Sequence, residues 1–327
     1  MARANFLKRI LTNKNGYNLC LANGQSWHII PTKGTKSWVE KLASILELKA
    51  GKPNAHPKLV FIQKESGKKD YKAPTFRLAP NTIEGLPDYG WKEHRLGTIH
   101  IWSHQDEPHV ICEITPEKYH EIEIIRMWTS LHSIYQRAQD SGGLPVHAAL
   151  VSQNGIGILL SAPGDTGKST CCRRLPHPWQ VLCDDETLIV RDDQKRYLVH
   201  PFPTWSDLLW KRSERTWNVQ HHLPLSAIFF LEQGETDKAI PIGQGEAAIY
   251  INESANQVCQ RTWRNLGKDE ERKLRKLLFQ NACQLAKAVP TFTLSVSLSG
   301  RFWKEIEKAL YCSVKKENLD SNNQNQL

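Results

Sequence analysis

The residues with the clearest chemical potential lie at 162–169, where the sequence reads Ala-Pro-Gly-Asp-Thr-Gly-Lys-Ser. This stretch, called the P-loop below, fits the Walker A pattern G-x-x-x-x-G-K-[ST], with alanine in place of the first glycine. An apolar strand, Ile156–Leu160, precedes it, and a short helix is expected to begin near Lys168. In that context the backbone N–H groups of the loop form an anion site at a helix N-terminus. The pattern therefore predicts a loop that binds the phosphates of a nucleotide.

The side chains of the P-loop have separate predicted roles. The ammonium group of Lys168 is expected to contact the β- and γ-phosphates, and the Ser169 hydroxyl is expected to bind Mg²⁺. Gly164 and Gly167 are expected to adopt the positive φ angles that such a loop needs. The predicted nucleotide-binding residues are Gly164, Asp165, Thr166, Gly167, Lys168, Ser169 and Thr170. A glycine- and lysine-rich surface turn is the alternative, and the agreement of strand, loop and helix argues against it.

Two adjacent carboxylates follow the P-loop after one short helix. The apolar run Val181–Cys183 ends in Asp184 and Asp185, as expected of a buried strand that delivers a metal ligand. Two neighbouring carboxylates suggest two roles, one at Mg²⁺ and one that takes a proton from an acceptor hydroxyl. Asp184 is the predicted metal ligand, together with Ser169, and both aspartates are candidates for the base.

A histidine lies just before the strand that leads into the P-loop. The stretch Val146–Leu150 reads as an apolar strand that contains His147. A single histidine in an apolar strand is more often a satisfied core residue than a functional one. The neighbouring loop and carboxylates favour function, so His147 is predicted to be catalytic together with Asp184 and Asp185.

These segments, taken in this order, resemble a known superfamily. The chain is similar to the core of the HPr kinase/phosphorylase superfamily, whose nucleotide domain shares its fold with phosphoenolpyruvate carboxykinase, in VHAALV, GIGILLSAPGDTGKST and VLCDDETLIV. It also resembles the HPr kinase-like proteins of peptide-modifying gene clusters, the SynChlorMet cassette among them, in HPFPTWSDLL, IFFLEQGETDKAIPI and LSVSLSGRFWKEIEKAL. The resemblance extends from Leu144 to Tyr250 and, more weakly, to Leu310.

The resemblance implies an α/β fold, with an HPr kinase/phosphoenolpyruvate carboxykinase-like mixed sheet that carries the P-loop and an N-terminal α+β region. It implies that Lys168 and Ser169 bind ATP and Mg²⁺. It further implies that Asp184 and Asp185 supply the metal ligand and the base, while His147 assists at the phosphoryl acceptor.

The implied function is that of an ATP-dependent kinase, which transfers the γ-phosphoryl group to a Ser or Thr hydroxyl of a peptide or protein in a ribosomal-peptide modification cluster. The implied partners are that substrate and other enzymes of the cassette. Two alternatives stay open: a catalytically degenerate ATP-binding scaffold or regulator, and a small-molecule kinase or ATPase on the same fold. The superfamily's catalytic-loop arginine has only Arg261 and Arg264 as candidates, which keeps the scaffold open.

Length, composition and charge limit the classes of protein to which the chain can belong. The 327 residues, 40% of them hydrophobic and 24% charged, are typical of a globular chain with one large domain or two moderate ones. The net charge of +9 comes without a nucleic-acid-binding motif, so a nucleotide site and an acidic partner explain it better than nucleic acid does. Neither a membrane span nor a secretion signal is predicted, which favours a cytoplasmic location and no membrane partner. A homo-oligomer is left open.

The predicted division is an N-terminal α+β region at 1–142, a P-loop domain at 143–312 and a disordered polar tail at 313–327. The segment 49–72 is expected to be a mobile loop apart from a strand at 59–62. Hydrophobic periodicity predicts hairpins at 17–30, 97–115 and 187–200, strands at 225–231 and 291–298, and helices at 38–48 (capped by Ser37), 115–139, 270–289 and 301–310.

Cysteines near the P-loop raise the question of a zinc site. Cys171, Cys172 and Cys183 lie close in sequence to His177. Adjacent cysteines on a helix point about 100° apart, which makes them poor ligands for one ion. Ordinary packing of reduced cysteines is therefore the favoured interpretation.

Overall fold

A computed structural model describes residues 16–32, 34–52, 57–63, 90–97, 99–104, 106–115, 117–164, 166–263 and 266–312. The chain divides into two compact units. The first unit comprises residues 1–136, 205–220 and 260–271, and the second comprises residues 137–204, 221–259 and 272–327. The division predicted at residue 142 stays a prediction. Some of the predicted features lie outside the described residues: Asp165, Arg264, the tail at 313–327 and much of the predicted loop at 49–72.

The first unit contains a seven-stranded sheet with the order β3-β1-β2-β4-β7-β6-β5. Its strands are β1 (Gly16–Cys20), β2 (Ser26–Pro31), β3 (Lys49–Gly51), β4 (Lys58–Gln63), β5 (Trp91–Leu96), β6 (Ile99–His104) and β7 (Val110–Ile114). Strand β4 runs parallel to β2 and β7, whereas β1 with β2 and β6 with β7 form antiparallel hairpins. Both hairpins predicted in this region are confirmed, and β5 is an addition that the sequence analysis missed.

The helices of the first unit begin and end differently from the prediction. Helix α1 (Lys36–Ile45) has Thr35, not Ser37, at its N-cap. The Thr35 hydroxyl donates to the Phe61 carbonyl, 3.0 Å away, and makes no cap bond. The predicted helix 115–139 is instead two helices, α2 (His120–Ser130) and α3 (His132–Asp140).

The break between α2 and α3 has a local cause. The Thr129 hydroxyl donates to the Ile125 carbonyl and the Ser130 hydroxyl donates to the Met127 carbonyl, each at 2.7 Å. Such bonds compete with the backbone ladder of the helix. In α2, Ile122 and Ile125 are only half-buried.

The second unit contains a nine-stranded mixed sheet with the order β11-β9-β10-β14-β13-β12-β8, in which β16 pairs with β14 and β15 pairs with β16. Its strands are β8 (Leu144–Val146), β9 (Ala148–Gln153), β10 (Ile156–Ser161), β11 (Gln180–Cys183), β12 (Glu186–Arg191), β13 (Tyr197–Phe202), β14 (Leu223–Gln233), β15 (Lys238–Pro241) and β16 (Thr291–Val296). Strand β14 runs parallel to both β10 and β16, as a buried central strand does. The predicted central strand and the hairpin of β12 and β13 are confirmed.

The remaining helices are α4 (Lys168–Arg174), α5 (Trp205–Leu209), α6 (Gln244–Trp263), α7 (Lys268–Ala288) and α8 (residues 302–312). Of these, α5 belongs to the first unit. The amphipathic helix predicted at 270–289 is confirmed as α7, whose Leu274, Leu278 and Leu285 are buried. Helix α6 was not predicted from the sequence. In the part of the chain that the structure describes, no helix is both long and apolar enough to cross a bilayer.

The core of the second unit lies around the strand that leads into the P-loop. Ile158 and Leu160 of β10 pack with Phe229 of β14 and with Phe302 and Ile306 of α8. All five are essentially inaccessible to solvent. The predicted α/β class, with a mixed sheet that carries the P-loop and an N-terminal α+β region, is confirmed.

Candidate functional site

The P-loop connects β10 directly to α4, in the strand–loop–helix order that the motif requires. Gly167 occupies the N-cap of α4 with a φ of 110°, and no side chain caps that end of the helix. Backbone donors at the start of α4 are thus left for other partners. Gly164 does not share the positive φ of Gly167, so that part of the sequence prediction is wrong.

The two P-loop glycines give a matched test of backbone strain. An added Cβ would meet nothing within 4 Å at either position, but only Gly167 has a φ that side chains disfavour. We expect Gly167→Ala to lower the free energy of unfolding by about 1 to 3 kcal/mol. We expect Gly164→Ala to change it by less than about 1 kcal/mol. Urea denaturation of both variants measures the difference, and equal losses would contradict the assignment of strain to Gly167.

Three of the predicted site residues form a continuous row of polar contacts. The Nζ atom of Lys168 lies 2.8 Å from Nε2 of His147, and Nδ1 of His147 lies 3.0 Å from Oδ1 of Asp185. Lys168 Nζ also donates to the carbonyls of Ala162, at 2.7 Å, and Pro163. The structure therefore brings together the lysine, the histidine and one aspartate.

The row fixes the proton positions on the imidazole. A lysine ammonium group only donates, so Nε2 of His147 must accept from Lys168. The Nδ1 atom, on the other side of the ring, then carries the proton and faces Oδ1 of Asp185 at 3.0 Å. His147 thus lies between a cation and an anion.

The backbone explains why His147 can occupy this position. Contrary to the predicted continuous strand, β8 ends at Val146 and β9 begins at Ala148, because the two strands pair with different neighbours, β12 and β10. His147 lies at the switch between them, and its side chain retains 22% exposure. An uninterrupted strand would have given His147 the ladder bonds of one neighbour.

Two serines that the sequence analysis missed hold the peptide group of His147. Its N–H donates to the Ser254 carbonyl at 3.2 Å, and the Ser254 hydroxyl donates to the His147 carbonyl at 3.1 Å. The hydroxyl of Ser161, at the end of β10, lies 2.9 Å from that of Ser254. Both serines are buried. No local signal marks Ser254, because it lies on α6 and reaches His147 only through the tertiary fold.

The second aspartate has a different partner. Thr204 donates from its hydroxyl to Oδ1 of Asp184. The contact follows from the hairpin register, because Glu186 pairs with Phe202 and each partner lies two residues beyond that pair. The structure assigns the Thr204 hydroxyl to orienting Asp184.

The residues present fit a magnesium nucleotide. Asp184 and Asp185 remain partly accessible in the turn between β11 and β12. Burial raises the pKa of the Cys172 thiol well above its usual range, and the nearby carboxylate of Asp184 raises it further. Cys172 lies one turn after Ser169 on α4, so Asp184 is a neighbour of the helix that follows the P-loop. Mg²⁺ is typically held by one or two carboxylates together with substrate phosphates, which matches this donor set.

The neighbouring cysteines behave as core residues. Cys171 and Cys172 are buried in the cluster that surrounds β10. The Cys183 thiol donates to the Glu186 carbonyl at 3.1 Å, and burial raises its pKa to about 11. Within the described residues, no group of three His, Cys, Asp or Glu side chains is arranged to hold a metal ion.

The remaining predicted residues are placed as follows. Ser169 and Thr170 lie in the first turn of α4, and Thr166 lies in the loop before it. Arg261, a candidate for the catalytic arginine, belongs to the first unit, where its guanidinium stacks 3.6 Å from the ring centre of Trp128. This contact gives Arg261 a packing role within that unit.

The chain is similar to a known protein family and to a solved structure. Residues 110–311, more than half of the chain, match the family model of SynChlorMet cassette protein ScmC. Among solved structures, the HPr(Ser) kinase/phosphatase from Coxiella burnetii is similar with 12% sequence identity and a TM-score of 0.31. That match covers 55% of this chain and 96% of the other. No curated protein matches the chain.

Proposed function

We propose, from the premise that the chain belongs to the SynChlorMet cassette protein ScmC family, that it is an ATP-dependent kinase. Its reaction is the transfer of the γ-phosphoryl group of ATP to a Ser or Thr hydroxyl of a peptide or protein substrate. Residues of the P-loop bind the phosphates, and Asp184 with Ser169 binds Mg²⁺. When bound, ATP supplies the phosphoryl group and Mg²⁺ neutralises its charge.

The observation that carries this proposal is the row of Lys168, His147 and Asp185. A nucleotide-binding loop alone is shared by proteins with many functions. A kinase also needs a group that takes the proton of an acceptor hydroxyl, within reach of the cation that contacts the phosphates. The row supplies such a carboxylate, oriented by an imidazole that is itself bonded to the P-loop lysine.

In the proposed mechanism, each side chain positions or moves a charge. Asp185 accepts the proton of the acceptor hydroxyl, and the proton stays on its carboxylate as the phosphoryl group leaves ATP. His147 holds Asp185 in place through Nδ1 and lies next to the acceptor. Lys168 stabilises negative charge on the phosphates, while Thr204 orients Asp184. The chain contributes mainly positioning and electrostatic stabilisation, as phosphoryl transfer requires.

Mass spectrometry tests the proposal directly. The full chain is incubated with Mg-ATP and synthetic peptides that contain Ser or Thr, and matched peptides with Ala at those positions serve as controls. The expected result is a mass gain of one phosphate on a hydroxyl-bearing peptide alone. Release of free phosphate without a phosphopeptide would instead indicate an ATPase, and nucleotide binding without turnover would indicate a scaffold.

A further inference from the structure

One exposed face of α7 carries several cations and, after the first turn of the helix, no carboxylate. Counting along the helix, the exposed residues that share this face are Arg272, Lys273, Lys276, Phe279, Gln280 and Lys287. We call this set the α7 stripe. Positions three or four apart lie on the same side of a helix, so the six side chains form one continuous strip. Phe279 in the middle is 46% exposed, which is unusual for a large apolar side chain.

The charge of the stripe is not neutralised by its own helix. The acidic residues of α7, Asp269, Glu270 and Glu271, all lie in its first turn, and residues 272–288 contain none. No ion pair or hydrogen bond to a described residue engages Arg272, Lys273 or Lys276. Asp269 lies three and four residues before Arg272 and Lys273 and can offset one of these charges. Beyond that turn the face carries cations alone, whereas an ordinary solvated helix face interleaves charges of both signs.

The stripe lies close to the candidate site in the same unit. On α6, Ser254 contacts His147, and two residues later Asn256 accepts a hydrogen bond from Arg275 of α7. Helix α6 therefore lies between His147 and α7, and a helix is about 10 Å across. An extended peptide covers roughly 3.3 Å per residue, so about five to ten residues can connect the two places.

From these observations we infer that the α7 stripe binds an acidic segment of the peptide or protein substrate and delivers the acceptor hydroxyl to the site at His147. This inference rests on the proposed function. The carboxylates of the segment pair with Arg272, Lys273 and Lys276, and an apolar residue packs on Phe279. Anchoring at a distance raises the local concentration of the acceptor without adding contacts at the reacting atoms.

The arrangement suits a peptide better than nucleic acid. The cations Arg272, Lys273 and Lys276 span little more than one helical turn and are followed by Phe279 and Gln280. A nucleic-acid backbone repeats its charge at short intervals and is held by cations along its whole track. A peptide that carries a few carboxylates next to an apolar side chain matches both parts of the stripe.

Fluorescence anisotropy tests the inference without ATP. The probe is a fluorescein-labelled peptide with four glutamates and one leucine, and its control has glutamine at each glutamate. The test variant is Arg272→Gln/Lys273→Gln/Lys276→Gln, and the matched control is Lys238→Gln/Lys304→Gln/Lys308→Gln, which removes the same charge from exposed positions elsewhere in the second unit. Circular dichroism checks that both variants fold.

The test variant is expected to bind the acidic probe about tenfold more weakly than wild type, because each exposed ion pair contributes little and the three add. The matched control variant and the glutamine peptide separate this loss from an effect of net charge. Equal affinity in wild type and test variant, or an equal loss in the matched control, would overturn the inference. So would tighter binding of a single-stranded oligonucleotide or of anionic vesicles than of the acidic probe.

The nucleotide-free assay separates this inference from the proposed function. If the probe binds as expected but no peptide is phosphorylated, the stripe is an acidic-peptide surface and the kinase proposal fails. If peptides are phosphorylated but the test variant has an unchanged KM, the kinase proposal holds and the role of the stripe fails. The joint expectation is a raised KM for the acidic substrate with an unchanged kcat, as for an interaction made equally in ground and transition states.

Discussion

Replacing Lys168 with methionine is expected to lower kcat/KM for phosphoryl transfer by at least about a thousandfold. The Nζ atom of Lys168 is the cation of the row, and the residue as a whole is only 7% exposed. A cation in such a position acts on phosphate charge more strongly than it would in water. Methionine keeps an unbranched stem of similar length and therefore removes the charge with little loss of packing.

The measurement pairs steady-state transfer with calorimetric binding of ATP. Lys168→Met is expected to weaken ATP binding as well as transfer, whereas exposed Lys304→Met is expected to leave both unchanged. A Lys168→Met protein that folds normally and still transfers phosphate within tenfold of wild type would contradict the role given to this lysine.

The P-loop could be predicted because its signal is local. Ile156–Leu160, Gly167 and Lys168 follow one another along the chain, and the strand, the left-handed glycine and the helix are each specified by their own residues. Strands β10 and β14 and the hairpin of β12 and β13 follow from the same kind of pattern, although the ends of both strands differ from the prediction. The residue pattern and the family resemblance both indicate His147 and the two aspartates as candidates, and the structure places Asp185 3.0 Å from His147.

The features that the sequence did not predict depend on distant contacts. Ser254 holds the peptide group of His147 across 107 positions of the chain, from a helix whose apolar residues gave no clear period. Thr204 meets Asp184 only through the register of a hairpin. The break at His147 arises because β8 and β9 pair with different strands. The continuous apolar run Val146–Leu150 gives no sign of this change of partner.

Errors in the helices have a related origin. The stretch 115–139 has a helical period throughout, so periodicity predicts one helix. Hydroxyl groups at Thr129 and Ser130 bond to the preceding turn and end α2, an effect that hydrophobic patterns do not register. The N-cap of α1 is Thr35 and not the predicted Ser37. The Thr35 hydroxyl bonds to the distant Phe61 carbonyl, a tertiary contact that hydrophobic patterns also do not register.

Asparagine at the two aspartates separates the base from the metal ligand. In Asp185→Asn the side chain keeps an oxygen that can accept from Nδ1 of His147, but it cannot take a proton at physiological pH. We expect the rate of phosphoryl transfer to fall by a factor of about 10² to 10⁴ while ATP binding and thermal stability stay close to wild type.

In Asp184→Asn the amide can still accept from Thr204, yet it has lost the charge that attracts Mg²⁺. We expect this variant to need more Mg²⁺ for half-maximal transfer and to recover part of its rate when Mg²⁺ is raised.

The two variants control for each other, because both remove one carboxylate charge from the same turn between β11 and β12. Single-turnover rates measured across a range of Mg²⁺ concentrations distinguish a proton-transfer defect, which added metal cannot repair, from a metal-binding defect, which it can. Thr204→Val extends the comparison. If the hydroxyl of Thr204 orients Asp184, this variant should show a mild form of the Mg²⁺ dependence of Asp184→Asn. It should not show the proton-transfer defect expected of Asp185→Asn. An Mg²⁺-repairable defect in Asp185→Asn and an unrepairable one in Asp184→Asn would exchange the two roles. Full transfer in both variants would exclude a carboxylate base, and the row from Lys168 to Asp185 would then serve only to position the lysine.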